Sequence, residues 1–216
     1  SGQDYPIKPK SFIRNYQKEN EGLSFVNHYP FPFEEWNADN GGWDRVEKWF
    51  IIRNNIFAFP KANQFKNKLS NAIWNRTFAR LPIKRKFPNG IQPYGGAQFW
   101  SLHYKHAKIL CDYIIKNPQY VSFFRYVFVP DEILVQTLVG NLINPQEIIN
   151  NTQTYLEWYR KGAVLIMDDL ENIKNTSHLY ARKFDDTVDS QIIKAIDEEI
   201  LFKSEANQFS TTSKML

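Results

Sequence analysis

A layered α/β fold is what this chain predicts, and three observations predict it. Strand-like runs rich in Phe, Val, Ile and Tyr alternate with runs of helical periodicity. No apolar stretch approaches the ~18 to 20 residues that a membrane helix needs. With 43% hydrophobic and 23% charged residues over 216 positions, the composition is that of one well-packed globular domain, expected over residues 1–207 with a flexible polar tail at 208–216.

The elements follow in order. Lys10 to Glu19 reads as a helix and Leu23 to His28 as a strand. Asn63 to Trp74 reads as a shorter helix. Pro82 to Gly95 is loop-like, because Pro88-Asn-Gly90 and Pro93-Tyr-Gly-Gly96 are turn signals. Phe99 to Lys116 places Leu102, His106, Ile109, Leu110, Tyr113 and Ile114 near one helical face. Ser122 to Val129 has the aromatic and β-branched content of a strand. Asp131 to Asn141 follows as a helix, with Asp131 at the N-cap after Pro130. Ala163 to Met167 is a further strand, and Ser190 to Lys203 a last helix that Asp189 or Ser190 can cap. No internal repeat is present.

Charge and cysteine usage narrow the classes. A formal charge of +4 and a pI near 9.0 suit an anionic ligand or surface without requiring one. Cys111 is the single cysteine, so no disulfide can form within the chain, which favours a reducing compartment. The Asn-x-Ser/Thr matches at Asn75, Asn150 and Asn175 then read as chance. The chain begins Ser1-Gly-Gln-Asp-Tyr-Pro, without an initiator Met or signal peptide, and a cut chain is expected. Aromatic residues reach 16%, several in polar surroundings such as Phe31-Pro-Phe-Glu-Glu-Trp36 and Asn40-Gly-Gly-Trp43. Flat apolar faces with polar rims suit sugar rings, although aromatics more often pack a core.

Candidate chemistry sits at two ends of the chain. Glu132 opens a helix directly after a strand, where a carboxylate can take a proton from an incoming hydroxyl; acidic residues also open helices simply to complement the dipole. Arg182 and Lys183, between Tyr180 and Phe184, can clamp a diphosphate, or pair with Asp185 or Asp186 on the surface. Arg160 and Lys161 carry the same ambiguity. Asp168-Asp169 resembles a helix opening, and Asp185, Asp186 and Asp189 would hold a cation only if they converged. His103 and His106 share a helical face without a third ligand at zinc spacing. Gly95-Gly96 permits close backbone approach. The basic stretch Arg76 to Lys86, interleaved with apolar residues, suits an anionic membrane surface; no nucleic-acid-reading signature accompanies it.

Four ordered segments carry a family resemblance: Ser1-Gly-Gln-Asp-Tyr-Pro-Ile-Lys8, Tyr94-Gly-Gly-Ala-Gln-Phe-Trp-Ser-Leu102, Val129-Pro-Asp-Glu132 with Thr137, and Leu179-Tyr-Ala-Arg-Lys-Phe-Asp185. Together they resemble the Core-2/I-branching family of glycosyltransferases, glycosyltransferase family 14. The resemblance implies a GT-A-like fold, a mixed sheet flanked by helices, and inverting transfer from a UDP-sugar without a divalent metal or other cofactor. It places Glu132 on the family's catalytic base and Lys183 on its phosphate-binding lysine. Arg160, with Lys161 as alternative, falls on the phosphate-binding arginine, and Arg182 adjoins them. Trp158, Arg45 and Asn27 fall near acceptor positions, and Asp4 and Gly95 join them as substrate-binding residues within matched segments.

In the family, further strands precede the Ser-Gly-x-Asp segment, so the chain is expected to be the C-terminal two-thirds of the domain. The single cysteine agrees with bacterial members, hence an expected cytoplasmic location at the inner membrane face. The implied role is polysaccharide biosynthesis, with N-acetylglucosamine as the expected sugar. The implied partners are a UDP-sugar and a glycan acceptor, lipid-linked if Arg76 to Lys86 lies on the membrane; nucleic acid is not among them. A non-catalytic glycan-binding or scaffold protein that keeps the fold is the alternative.

Overall fold

The computed structural model describes residues 3–50, 84–88, 90–157 and 164–202. The expected helix Asn63 to Trp74, the cations Arg76, Arg80, Arg160 and Lys161, Trp158, and the tail at 208–216 lie outside the described residues. In chain order the described strands are β1 Tyr5–Pro6, β2 Ser24–Phe25, β3 Tyr29–Pro30, β4 Tyr94–Gly95, β5 Ile148–Ile149, β6 Thr154–Leu156 and β7 Tyr180–Arg182. The α-helices are α1 Lys10–Glu19, α2 Trp43–Glu47, α3 Tyr104–Lys116, α4 Pro118–Phe124, α5 Leu134–Leu142, α6 Leu170–Asn175 and α7 Ile192–Ile196. Helices and small mixed sheets make this a mixed α/β chain.

The chain divides into two compact units. One comprises Ser1–Phe25, Phe99–Ser101 and Asn151–Leu216; the other comprises Val26–Gln98 and Leu102–Asn150. In the first, β7 is the middle strand of a three-stranded sheet, antiparallel to β1 (Tyr5 opposite Ala181) and parallel to β6 (Tyr155 opposite Ala181). Its inward residues Leu179 and Ala181 are buried, as is Phe184 just beyond it, and Ile7, Leu165, Leu170, Ile173, Ile192 and Ile196 are buried with them. At about 1.5–3 kcal/mol per fully buried aliphatic side chain, this cluster is what holds α6 and α7 on the sheet. The helix α1 runs as expected from the residue after Pro9, carries Lys18 in its last turn, and rests Tyr16 on Phe25 with ring centroids 5.7 Å apart.

The second unit is built on α3, α4 and α5 with the antiparallel pair of β3 and β4, Tyr29 opposite Gly95. Val26, Phe31, Val46, Leu110, Tyr120, Phe124, Ile133, Leu138 and Val139 form its core. Thr137 on α5 ties β4 down, because its hydroxyl accepts from Tyr94 N at 3.0 Å and donates to Tyr94 O at 3.2 Å. Tyr120 is buried and its hydroxyl donates to Leu134 O at 2.8 Å; burial pushes its proton affinity well above the ordinary tyrosine value.

Several expected boundaries move. Ser122 to Val129 is not a strand: Pro118 follows Asn117 at the first helical position, Tyr120 and Phe124 four residues apart both turn inward, and α4 results, ending in a turn. Phe99 to His103 is extended rather than helical, since Ser101 bridges to Phe25; α3 therefore starts at Tyr104, and Ile109 is exposed. Asp131 belongs to a separate 3₁₀ turn, Pro130–Glu132, and α5 starts only at Leu134. Leu23 to His28 keeps two strand residues, and within Ala163 to Met167 the described Val164–Ile166 form no ladder beyond the single bond from Leu165 N to Lys183 O at 2.9 Å. The last helix starts at Ile192 with Gln191 at its N-cap, and Asp189, two residues earlier, accepts from Gln191 N and Ile192 N.

Candidate active site

The carboxylate of Glu132 is set by its backbone before its side chain meets any partner. The chain enters the Pro130–Glu132 turn through Val129, which is left-handed at φ 47° and ψ 62°. A β-branched residue adopts that conformation at a cost of roughly 1–2 kcal/mol, so the surroundings must enforce it. They do so from both sides: Phe128 N donates to Arg45 O at 3.1 Å, and Gly96 N to Glu132 O at 2.9 Å. Buried Gln136 donates to Ala97 O at 2.8 Å and Asp131 O at 3.3 Å.

Arg45 then fixes the side chain. Its Nη1 donates to Glu132 Oε2 at 2.8 Å and its Nε to Asp39 Oδ2 at 2.7 Å, while the guanidinium lies 3.6 Å over the Trp36 ring. Phe128 stands further off, at 5.8 Å. The Arg45 side chain is only 12% exposed and that of Glu132 29%, so the carboxylate keeps access to solvent. Among the described residues, Glu132 Oε1 accepts no hydrogen bond. One oxygen is clamped and the other is open.

The loop before α2 makes this pairing possible. Asn40, Gly41 and Gly42 follow one another at φ 53°, 63° and 97°. A Cβ on Gly41 would lie 2.4 Å from Pro32 and one on Gly42 2.5 Å from the Phe31 ring, so neither position admits a side chain. The reversal brings Asp39 back against Arg45. A pocket of about 280 Å³ opens beside them, lined by Asp39, Asp44, Arg45, Lys48, Trp49 and Phe128 among others.

Gly95 and Gly96 lie against the same neighbourhood. A Cβ on Gly95 would meet Trp36 at 2.4 Å, and one on Gly96 would meet Asn27 O at 1.9 Å. The expected close approach is thus protein against protein, and Gly95 has a packing reason to be glycine. Asn27 itself donates to Tyr29 Oη at 3.1 Å. Glu132, Arg45, Asn27 and Gly95 are therefore brought together in the second unit.

Asp4, Arg182 and Lys183 lie in the first unit. Arg182 pairs with Asp4 across 3.2 Å and stacks 4.5 Å from the Phe99 ring, so its charge is satisfied within the protein. The side chain of Lys183, half-buried, forms no hydrogen bond or ion pair among the described residues. The surface pairing with Asp185 or Asp186 does not occur. Asp185 instead accepts from Thr187 N at 3.0 Å and Thr187 Oγ1 at 2.6 Å, and these bonds hold its carboxyl below the usual carboxylate range. A pocket of about 350 Å³ opens here, lined by Gln3, Asp4, Tyr5, Phe184, Asp185 and Thr187 among others.

The remaining candidates have structural occupations. Asp169 is buried and accepts from Ile166 N at 2.9 Å, as a helix opening should. His106 is buried beside Glu147, with 3.2 Å between Nε2 and Oε2. Among the described residues no group of three or more His, Cys, Asp or Glu converges as a metal site. Arg85, within the basic stretch expected at a membrane surface, is buried instead: it donates to Phe123 O and Tyr126 O and lies 3.9 Å from the Phe123 ring. Five guanidinium donors let one arginine satisfy a carbonyl in the last turn of α4 and another just beyond it. No helix of the described residues is long and apolar enough to cross a membrane.

Sequence reasoning did not find Asp39, and it read Trp36 only as one of the aromatics in polar surroundings, not as the ring beneath Arg45. The Asn40-Gly-Gly triplet was the available signal, since a left-handed run there forces the loop to double back. Comparison with known proteins adds one finding: the family model for Core-2/I-Branching enzyme matches residues 1–176, ending before the Leu179–Asp185 segment. No curated protein matches the chain.

Proposed function

The chain belongs to the Core-2/I-branching enzyme family, a family of glycosyltransferases that join a nucleotide-sugar donor to a glycan acceptor, and from that premise we propose an inverting, metal-independent transfer from a UDP-sugar with Glu132 as general base. The observation that carries this reading is the division of labour within one carboxylate. Oε2 is held by Arg45, which leaves Oε1 as the lone pair for an acceptor hydroxyl. A general base needs this combination of fixed position and open access.

In the transfer, Oε1 takes the hydroxyl proton as the acceptor oxygen attacks the anomeric carbon from the face opposite UDP. The bond from that carbon to the diphosphate oxygen breaks, and the electron pair leaves with UDP. Lys183, the half-buried ammonium with no hydrogen-bond or ion-pair partner among the described residues, neutralises the departing charge together with Arg160. Two cations can supply the charge stabilisation that a divalent ion supplies elsewhere. Arg182, already paired with Asp4, ties β7 to the chain ahead of β1 rather than meeting the phosphates. The sugar is N-acetylglucosamine in this reading.

Glu132→Gln tests it. Removing the base lowers transfer by about 10²- to 10⁴-fold, while UDP affinity measured by calorimetry in EDTA stays within twofold. A variant with near-normal turnover would remove Glu132 from the role, and loss of all activity in EDTA, restored by manganese, would overturn metal independence.

A further inference from the structure

We propose that Asp39 is a positioning residue for the transfer, acting through Arg45 to hold Glu132 and to keep the arginine's charge balanced while Glu132 carries a proton. The inference rests on the reading of Glu132 as base. It begins from geometry: the guanidinium of Arg45 is constrained three times, by Asp39 Oδ2 at 2.7 Å from Nε, by Glu132 Oε2 at 2.8 Å from Nη1, and by the Trp36 ring 3.6 Å beneath its plane. Two in-plane bonds and one stacked face leave a planar group no freedom to rotate. With Asp39 removed, Arg45 would keep one in-plane bond and could swing about it, taking Glu132 Oε2 along.

The charge argument is independent of the geometric one. Arg45 is 12% exposed, so a guanidinium without a carboxylate there would be a largely desolvated cation. When Glu132 takes the acceptor's proton its own charge is neutralised, the O–H bond of the acceptor having broken and its electron pair having formed the new glycosidic bond. Asp39 remains ionised beside Nε, and Arg45 stays paired through the proton transfer. Without Asp39, accepting the proton would leave this mostly covered cation without a carboxylate partner among the described residues, and the penalty would fall on the reacting complex rather than on the resting protein. Asp39 touches neither donor nor reacting atoms; its effect passes through Arg45.

The test uses the full chain with Asp39→Ala and the near-isosteric Asp39→Asn, whose amide oxygen can still accept from Nε. Arginine Nε–Hε signals are followed by ¹⁵N NMR, with the Arg45 signal assigned from its loss in Arg45→Lys, and UDP release from UDP-N-acetylglucosamine is measured with a mixed oligosaccharide acceptor pool. We expect exchange of the Arg45 Hε with water to quicken at least tenfold in Asp39→Ala and less in Asp39→Asn. We expect kcat to fall on the order of tenfold to a hundredfold in Asp39→Ala, the scale of a misplaced catalytic group, at unchanged KM for the donor, with partial recovery in Asp39→Asn. Exchange and kcat both within twofold of the parent in Asp39→Ala would overturn the proposal. Glu132→Gln is run alongside: turnover by that variant brings down the base reading itself, whereas Arg45 exchange still reports on Asp39 separately.

Discussion

The two units treat their charged candidates in opposite ways. Around Glu132 each charge is cross-braced, with Asp39, Arg45 and Glu132 bonded in series over an indole ring. In the other unit the bracing stops one residue short: Arg182 is taken by Asp4, and the side chain of Lys183, the next residue, has no hydrogen-bond or ion-pair partner among those described. In the proposed reading the base must be aimed before its substrate arrives, whereas a cation meant for a mobile anion gains most when nothing else competes for it. Under that proposal the contrast separates a preorganised group from one that waits for a ligand.

The comparison can be broken at several points beyond loss of the Glu132 carboxylate, which carries the largest expected effect. Lys183→Ala should weaken UDP binding by about tenfold to a hundredfold, the worth of a charge-assisted hydrogen bond of about 1.5–3 kcal/mol. Thermal stability should stay unchanged, because Lys183 anchors nothing internal. Arg182→Ala is its counterpart and should lower stability more than it lowers affinity. If calorimetry shows the reverse ordering, the assignment of the waiting cation is wrong.

Val129→Gly sharpens the other side. Glycine relieves a left-handed strain of about 1–2 kcal/mol and returns roughly 0.5–1 kcal/mol to the unfolded chain as entropy. The midpoint of thermal unfolding should hold or rise by a few degrees while kcat drops several-fold as the Glu132 turn loosens. A large fall in the midpoint would mean that packing of the valine side chain outweighs the strain.

Asp189 gives the smallest effect and carries a sign that can be checked. Backbone N–H bonds, from Met167 first and then Gln191, hold its carboxyl below the usual carboxylate range. A depressed folded value means that its contribution is present above the unfolded value of about 3.9 and is lost as pH falls through the folded one. Asp189→Ala should therefore cost about 1 kcal/mol near neutral pH, a typical N-cap loss, and the gap to the parent should close as melts are repeated from pH 5 down to pH 2. A gap that persists at pH 2 would show that shape, not charge, makes the cap.

What was legible in the sequence follows the range of the forces involved. The extent of α1 is local and was read correctly, because propensity acts within a turn, and Asp189 does bond the backbone ahead of the last helix, although that helix starts two residues later than expected. The Pro-Asp-Glu segment singled out Glu132 as a candidate because its residues are contiguous in sequence. The aromatic run that became α4 was misread, since Phe, Tyr and Val suit a strand or a buried helix face equally and only Pro118 and the pairing of Tyr120 with Phe124 decide between them. Asp39 was invisible for a different reason. Its function depends on Arg45 reaching Glu132 across 87 residues, and no local pattern encodes a contact of that length.

The absent side chain of Gly96 has a consequence for anyone mapping this protein by random mutation. Alanine there would need the space of the Asn27 carbonyl, 1.9 Å away, so either that peptide or the Gly96 backbone, whose own N–H secures Glu132 O, would have to shift. Alleles at codon 96 should score as nulls, indistinguishable in a genetic screen from loss of the base itself. A tolerance map drawn from such a screen would extend the boundary of the active site to a residue that has no atoms to offer a substrate.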